Sequence, residues 1–312
     1  MKKLVTILLL LALLAIPMTA MAKGKGDAWY VPGDYATIQE AIDSAAVMAR
    51  DTIFVGPGNH AGALVTKAVK IKGQDGAVID SGPMHPAGLS QGFRLMAGSS
   101  GTEISHLQFE VDLAIMNGAA ADDVVVTHNT FINAVQAVSN WSGSRWTISH
   151  NVMIDLRCRN GGGIGILVAD RFGGIVADNL IEHNKISGTL HVDPSDQGGY
   201  QGSGVVIYAD FRWGMAGAAE IRNNFVTQNK VSLISDTPAV VDVVAFELTD
   251  TRDDTNADPF PVLFDNAIGF NDFRGTATQI VLTPEVLADF NSIDRNFGDI
   301  RGQGLHPSVF KP

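Results

Sequence analysis

Cysteine is almost absent: Cys158 stands alone in 312 residues, so no disulfide can close within the chain. A lone Cys of this kind reads as a small buried core residue, and stability must come from packing and backbone pairing. Cations are scarce too, with 22 Lys and Arg against 33 Asp and Glu, a formal charge of −11. That sign argues against nucleic acid and against anionic lipid surfaces as partners. A polyanionic ligand would need a metal cation or a local Arg cluster to offset the repulsion. The dense Leu skeleton of leucine-rich repeats is also missing. Only one long apolar run exists, Leu4 to Ile16, and it is too short for a comfortable membrane span.

That run follows Lys2 and Lys3 and precedes Ala20-Met21-Ala22, the pattern of a secretory signal peptide. Residues 1–22 are therefore expected to be cleaved, leaving residues 23–312 as a single periplasmic or extracellular domain with no membrane span. No Cys follows the run to take a lipid anchor. Cleavage would leave 20 basic and 33 acidic residues, a formal −13.

What the chain does have is a repeat. Ile104-Ser-His106-Leu-Gln-Phe109, Val126-Thr-His128-Asn129-Thr-Phe131, Ile148-Ser-His150-Asn151-Val-Met153 and Ile181-Glu-His183-Asn184-Lys-Ile186 align without gaps, the first three at a spacing of 22. An Asn-centred form persists around Asn184, Asn229 and Asn271, at spacings of 45 and 42, close to double the first period. A period in this range signals a stacked array. Apolar residues rich in Val and Ile occur at alternate positions and are interrupted by Gly, Asn and Asp, the signals of short strands and turns. Three strands of about four residues with three short turns fill one such period, which is one rung of a parallel β-helix. Asn suits the bend because it tolerates positive φ and can bond backbone or the Asn one rung away. A β-propeller blade near 40 residues is the rival, but the 22-residue copies do not suit it.

Ahead of the first rung, "DYATIQEAIDSAAVMAR" sets Ile38, Ala41, Ile42, Ala45 and Ala46 on one helical face, with Asp34 or Thr37 as cap. Such a helix can cover the open end of a solenoid. The segments "DTIFVGPGNHAG" and "VKIKGQDGAVID" read as the first strands. The fold class expected is thus all-β, a right-handed single-stranded parallel β-helix with a short N-terminal amphipathic capping helix.

"YATIQEAIDSA", "DTIFVGPGNH" and "VKIKGQDGAVID", followed by Asn-bearing repeats, resemble the right-handed parallel β-helix proteins of the pectate-lyase-like superfamily. The resemblance covers nearly all of the expected mature chain. It implies a protein that acts on or binds polysaccharide, since the superfamily includes lyases, hydrolases, esterases, epimerases, adhesins and non-catalytic accessory proteins. Asp122-Asp123 and Asp253-Asp254 match fragments of the polygalacturonase pattern, but no His lies between glycines, and the Gly-Asp-Phe-Ile-Phe-Gly motif of pectin methylesterases is missing.

A lyase needs a base beside a uronate carboxylate and cations for the enolate-like charge. The resemblance implies that Arg or Lys is the base and that acidic side chains hold Ca²⁺. Asp170-Arg171, Asp210-Phe-Arg212 and Asp250-Thr-Arg252 recur with Asp at a spacing of 40, each after an apolar strand. Stacked, they would form a column at one sheet edge. Arg171, Arg212 and Arg252 are the catalytic candidates, and Asp170, Asp210 and Asp250 the Ca²⁺ ligands. Asp193, Asp196, Asp253, Asp254 and Asp258 can add oxygens. Tyr200, Tyr208 and Trp213 are candidate sugar platforms, as are Trp141 and Trp146. The same Asp and Arg residues equally suit structural ion pairs at rung ends. His106, His128 and His150 form a second expected column, either a turn ladder or neutral imidazoles open to a transition metal. Two functions stay open: a polysaccharide lyase acting on acidic glycan by β-elimination, and a non-catalytic glycan-binding, adhesin or accessory protein.

Overall fold

The computed structural model describes residues 26–159, 163–170, 174–192, 202–209, 220–250, 263–282, 291–297 and 300–301. They form a parallel β-helix. Three long sheets run the length of the solenoid, called A, B and C in the order the chain visits them, and every strand pair within them is parallel. Sheet A has ten strands, from Ala28–Val31 to Ser292–Asp294. Sheet B has seven, from Gly58–Ala61 to Lys230–Ser235, and sheet C has nine, from Leu64–Val65 to Ile300–Arg301. A short three-stranded sheet, beginning at Ile175–Ala177, lines the corner between C and A.

The β-branched alternation seen in the sequence fixes the inside. On sheet A, Ile53, Ile71, Ile104, Val126, Ile148, Ile181, Val226, Ile268 and Ile293 stand in register one above another, none more than 4 % exposed. Sheet B contributes Ile79, Phe109, Phe131, Met153, Ile186 and Val231, and sheet C contributes Phe93, Ile115, Val138, Ile166, Val205, Phe246 and Ile280. Each such side chain stabilises the fold by roughly 1.5–3 kcal/mol on burial.

Ile181 pairs directly with Val226, and Val226 with Ile268, so spacings of 45 and 42 are single rungs with long corners rather than two rungs.

Corners hold the coil together. Between A and B, residues His106, His128, His150, His183, Gln228, Phe270 and Arg295 all take left-handed φ, between 54° and 62°. That conformation costs about 1–2 kcal/mol for an L residue. The Asn that follows offsets it. Asn129, Asn151, Asn184, Asn229, Asn271 and Asn296 form a ladder in which each side-chain oxygen from Asn151 on accepts from the backbone N–H and the amide of the preceding Asn, at 2.9–3.2 Å, while that of Asn129 accepts from the Leu107 N–H. A second ladder, Asn140, Asn179, Asn224, Asn266 and Asn291, runs along the C–A corner.

The helix spans Ile38–Asp43 and is capped by Thr37, whose hydroxyl accepts from the Glu40 N–H while Glu40 accepts from the Ala36 N–H. Ile38, Ala41 and Ile42 are buried on the first rung. Ala45 and Ala46 lie beyond the helix and are exposed, because the chain leaves helical geometry at Ser44; Val47 fills the core in their place.

Candidate functional site

Sheet C differs from the other two in what its outer face carries. On A and B the outward positions are mostly exposed or half-exposed, whereas on C two apolar clusters lie outside the barrel. One comprises Leu89, Leu113, Met116 and Val135, the other Leu167, Ala169 and Val206, with Ile164 and Tyr208 packed against the second. Trp141 touches both clusters and joins them.

Register explains the platform. Asn140 pairs with Val168, so Trp141 leaves the strand at the level of Ala169, and Ala169 pairs with Tyr208 one rung further on. Two aromatic side chains, both partly buried, therefore stand about 10 Å apart along the axis with a small Ala between them. An apolar ring face with a polar edge is the chemistry that stacks on a sugar.

Polar groups frame this floor. Ser139 donates to Gln136 at 2.7 Å, and Glu247 accepts from Ser203 at 3.1 Å and from Thr249 at 2.8 Å. Arg94 lies at the level of Met116, Ser139, Leu167, Val206 and Glu247, at the opposite end of that row from Glu247. Its Nε is buried without a hydrogen-bond partner, as is the Gln91 side-chain oxygen three residues earlier. Among the described residues no carboxylate pairs with Arg94. At the entry to the strand Leu113–Asn117, Asp112 binds Arg157 and accepts from the Ser90 N–H and hydroxyl at 2.8 and 2.9 Å.

The expected Asp/Arg column takes a different form. Asp170 pairs in register with Ala209, and Ala209 with Asp250. The level that Asp170 and Asp250 share is held on the intervening strand by Ala209. Asp170 also has the inward parity of Ile166 and Val168, is 4 % exposed, and accepts from the Ser142 hydroxyl at 2.6 Å. Ser142 belongs to the preceding rung, so this carboxylate is engaged within the fold. Arg171, Arg212, Arg252, Asp210, Tyr200 and Trp213 lie outside the described residues, as do the side chain of Asp250 and residues Asp193, Asp196, Asp253, Asp254 and Asp258.

Other candidates resolve as structure. Trp146 is fully buried in the core, and its indole N–H donates to the Ala121 carbonyl at 2.6 Å. Asp122 and Asp123 clamp Arg145 at 3.1 and 2.7 Å on the C–A corner, where Asp123 and Arg145 are successive left-handed residues. The Arg145 guanidinium holds the Asp123 carboxyl below its usual range. Cys158 is buried. The His column exists, continues to His183, and points outward because the bend has already begun at each His. It is the Asn beside it that forms the hydrogen-bonded ladder.

Sequence reasoning missed Arg94, Gln91 and Glu247. Period-2 alternation places Arg94 and Glu247 outside, next to the inward Phe93 and Phe246, and gives Gln91 the parity of Phe93; only the register brings strands of different rungs to one row. The chain matches no protein-family model, no curated protein and no solved structure.

Proposed function

We propose that the protein is a secreted carbohydrate-active β-helix of the pectate-lyase-like kind, which seats an extended acidic polysaccharide along the outer face of sheet C and cleaves it by β-elimination. The observation that carries the reading is the Trp141–Ala169–Tyr208 platform on an otherwise apolar floor, with the guanidinium of Arg94 in the same face. Rungs about 4.8 Å apart nearly match the advance of an extended glycan per sugar, so a chain lying along the axis meets like groups at each step. Arg94 would take a uronate carboxylate, offsetting the acidity of the chain as a whole. Arg171, Arg212 and Arg252 remain the proposed bases, since two of them follow Asp170 and Asp250 at the ends of sheet C strands.

A second reading, a glycan-binding protein without catalysis, is favoured by one observation: the described carboxylates in and beside the sheet C strands are held in structural hydrogen bonds, Asp170 by Ser142, Glu247 by Ser203 and Thr249, and Asp112 by Ser90 and Arg157. Ultraviolet absorbance during incubation with pectate, alginate and other uronans, with Ca²⁺ or chelator, separates the two. β-Elimination creates a double bond conjugated to a carboxylate, so a rise establishes the lyase. A flat trace with binding that Trp141→Ala abolishes establishes the binder. No binding to any uronan overturns both.

A further inference from the structure

The A–B corner carries a stripe of planar side chains that the sheet C site does not use. His106, His128, His150 and His183 occupy four consecutive rungs with ring centroids 5.2, 4.9 and 4.9 Å apart and ring planes within 7°, 3° and 26° of parallel. All four residues are exposed. Gln228, Phe270 and Arg295 continue the same corner, with the Arg295 guanidinium 5.3 Å from the Phe270 ring centre.

Parallel rings at this separation do not bring two nitrogens to one transition metal, which binds imidazole at about 2.0–2.1 Å. They present a row of nitrogen edges at rung pitch instead. Beside the row on sheet A stand Ser105, Thr127 and Ser149, in register with one another, and the Thr127 hydroxyl lies 2.9 Å from His128 Nδ1 and 3.1 Å from the Ser149 hydroxyl. The charged groups around it are Lys70, Lys72, Glu103 and Glu182 on sheet A, and Glu110, Lys185 and Lys230 at sheet B. Of the three acids, Glu103 is bound by Lys70 at 3.0 Å and Glu110 accepts from Gln108. Glu103 also acts electrostatically on His106, and Glu182 lies 4.0 Å from His183.

We propose that this stripe is an acid-activated binding surface for a linear anionic polysaccharide, each protonated imidazole meeting one anionic substituent of the polymer. Near neutrality the chain's net −11 repels such a polymer. On acidification the corner gains as many as four cations in a row about 15 Å long, with Lys72 one rung before it, Lys185 on the rung of His183 and Lys230 one rung beyond. Stacked imidazolium ions repel one another, and anions laid along their edges remove that repulsion, so binding and proton uptake reinforce each other. The choice of a polysaccharide among linear polyanions rests on the proposed function; the surface itself does not, because it lies on a different corner from the sheet C face.

The test is titration calorimetry of the full chain with an oligogalacturonate at about pH 7.5 and about pH 5, in buffers of different ionisation enthalpy. The fourfold variant H106Q/H128Q/H150Q/H183Q is the comparison, since Gln228 already holds the same left-handed corner. Where circular dichroism shows it unfolded, H128Q/H150Q replaces it. The parent should bind about tenfold or more tightly at the lower pH, with net proton uptake and a steep loss on adding salt. The gain should vanish in the Gln variant. An equal gain in that variant, or none in the parent, overturns the proposal, and so does equally tight binding of phosphatidylglycerol vesicles in acid. Trp141→Ala keeps the two sites apart: loss of neutral-pH binding with the acid gain intact bears on sheet C alone, and the reverse bears on the stripe alone.

Discussion

Replacing Asn184 by Ala probes what makes this coil cohere. Asn184 is 1 % exposed and sits in the middle of its ladder. Its oxygen accepts from the N–H and the side-chain amide of Asn151, both at 3.0 Å, and its own amide donates to the Ile148 carbonyl at 2.8 Å and to the Asn229 oxygen at 2.9 Å. Two of these partners keep another bond: the Asn151 amide still reaches the Val126 carbonyl at 2.9 Å, and the Asn229 oxygen still accepts from the Asn184 N–H at 3.0 Å. The Asn151 N–H and the amide site on the Ile148 carbonyl are left facing a dry hole. Each stranded buried group costs about 1–3 kcal/mol, so the substitution should destabilise by roughly 3–5 kcal/mol. Asn296→Ala is the comparator, since Asn296 makes three of the four corresponding bonds on a later rung where it is only partly buried and water can replace them; about 1 kcal/mol is expected there. Guanidinium unfolding followed by tryptophan fluorescence, read as a shift in midpoint at constant slope, measures both. A cost below about 1 kcal/mol for Asn184→Ala, or equal costs at the two positions, would refute the claim that the ladder carries this stability.

Two further outcomes follow from the same geometry. Partial burial, then Lys72 and His128, hold the His106 imidazole below its ordinary pKa of 6.5, so the unfolded chain takes its proton first. Stability contributed by neutral His106 is present above pH 6.5 and is lost as pH falls through the lower folded value; His106→Gln should therefore narrow the stability difference between pH 7.5 and pH 5, and an unchanged difference counts against this. Gly165→Ala would set a methyl 2.5 Å from the Gly204 carbonyl oxygen on the adjoining strand, and should lower the unfolding midpoint by the equivalent of about 1–3 kcal/mol; a neutral result would mean that the two rungs can part more easily than their packing implies.

Much of this fold was legible because a solenoid writes its core locally. Ile104, Val126 and Ile148 fall at one spacing in the chain and at one level in space, since the rungs that separate them have corners of constant length. Asn129 and Asn151 were readable as ladder members for the same reason. Where a corner lengthened, spacing alone left the level of the next strand open: Ile181 pairs directly with Val226, which only the register shows. Ala45 and Ala46 kept the helical period yet left the helix, since apolar periodicity does not reveal where the backbone stops.

The site was harder to read for a related reason, and the Asp residues make it concrete. A regular spacing of 40 suggested one column, but the true steps are 39 from Asp170 to Ala209 and 41 from Ala209 to Asp250, so the level that Asp170 and Asp250 share is held by Ala209. In a strand, one residue also exchanges the inner face for the outer. Equal spacing is therefore strong evidence for a core position, where nine aliphatic residues average out such slips, and weak evidence for a constellation of three charges. Arg94, Gln91, Trp141 and Tyr208 show the converse: they follow no common spacing, come from three rungs with unlike corners, and still meet on one face because the backbone ladder, not the residue count, sets their level. In such a molecule the search for function has to begin from the register of sheet C and ask which outward side chains stay unpaired, and Arg94 is the cation that this question selects.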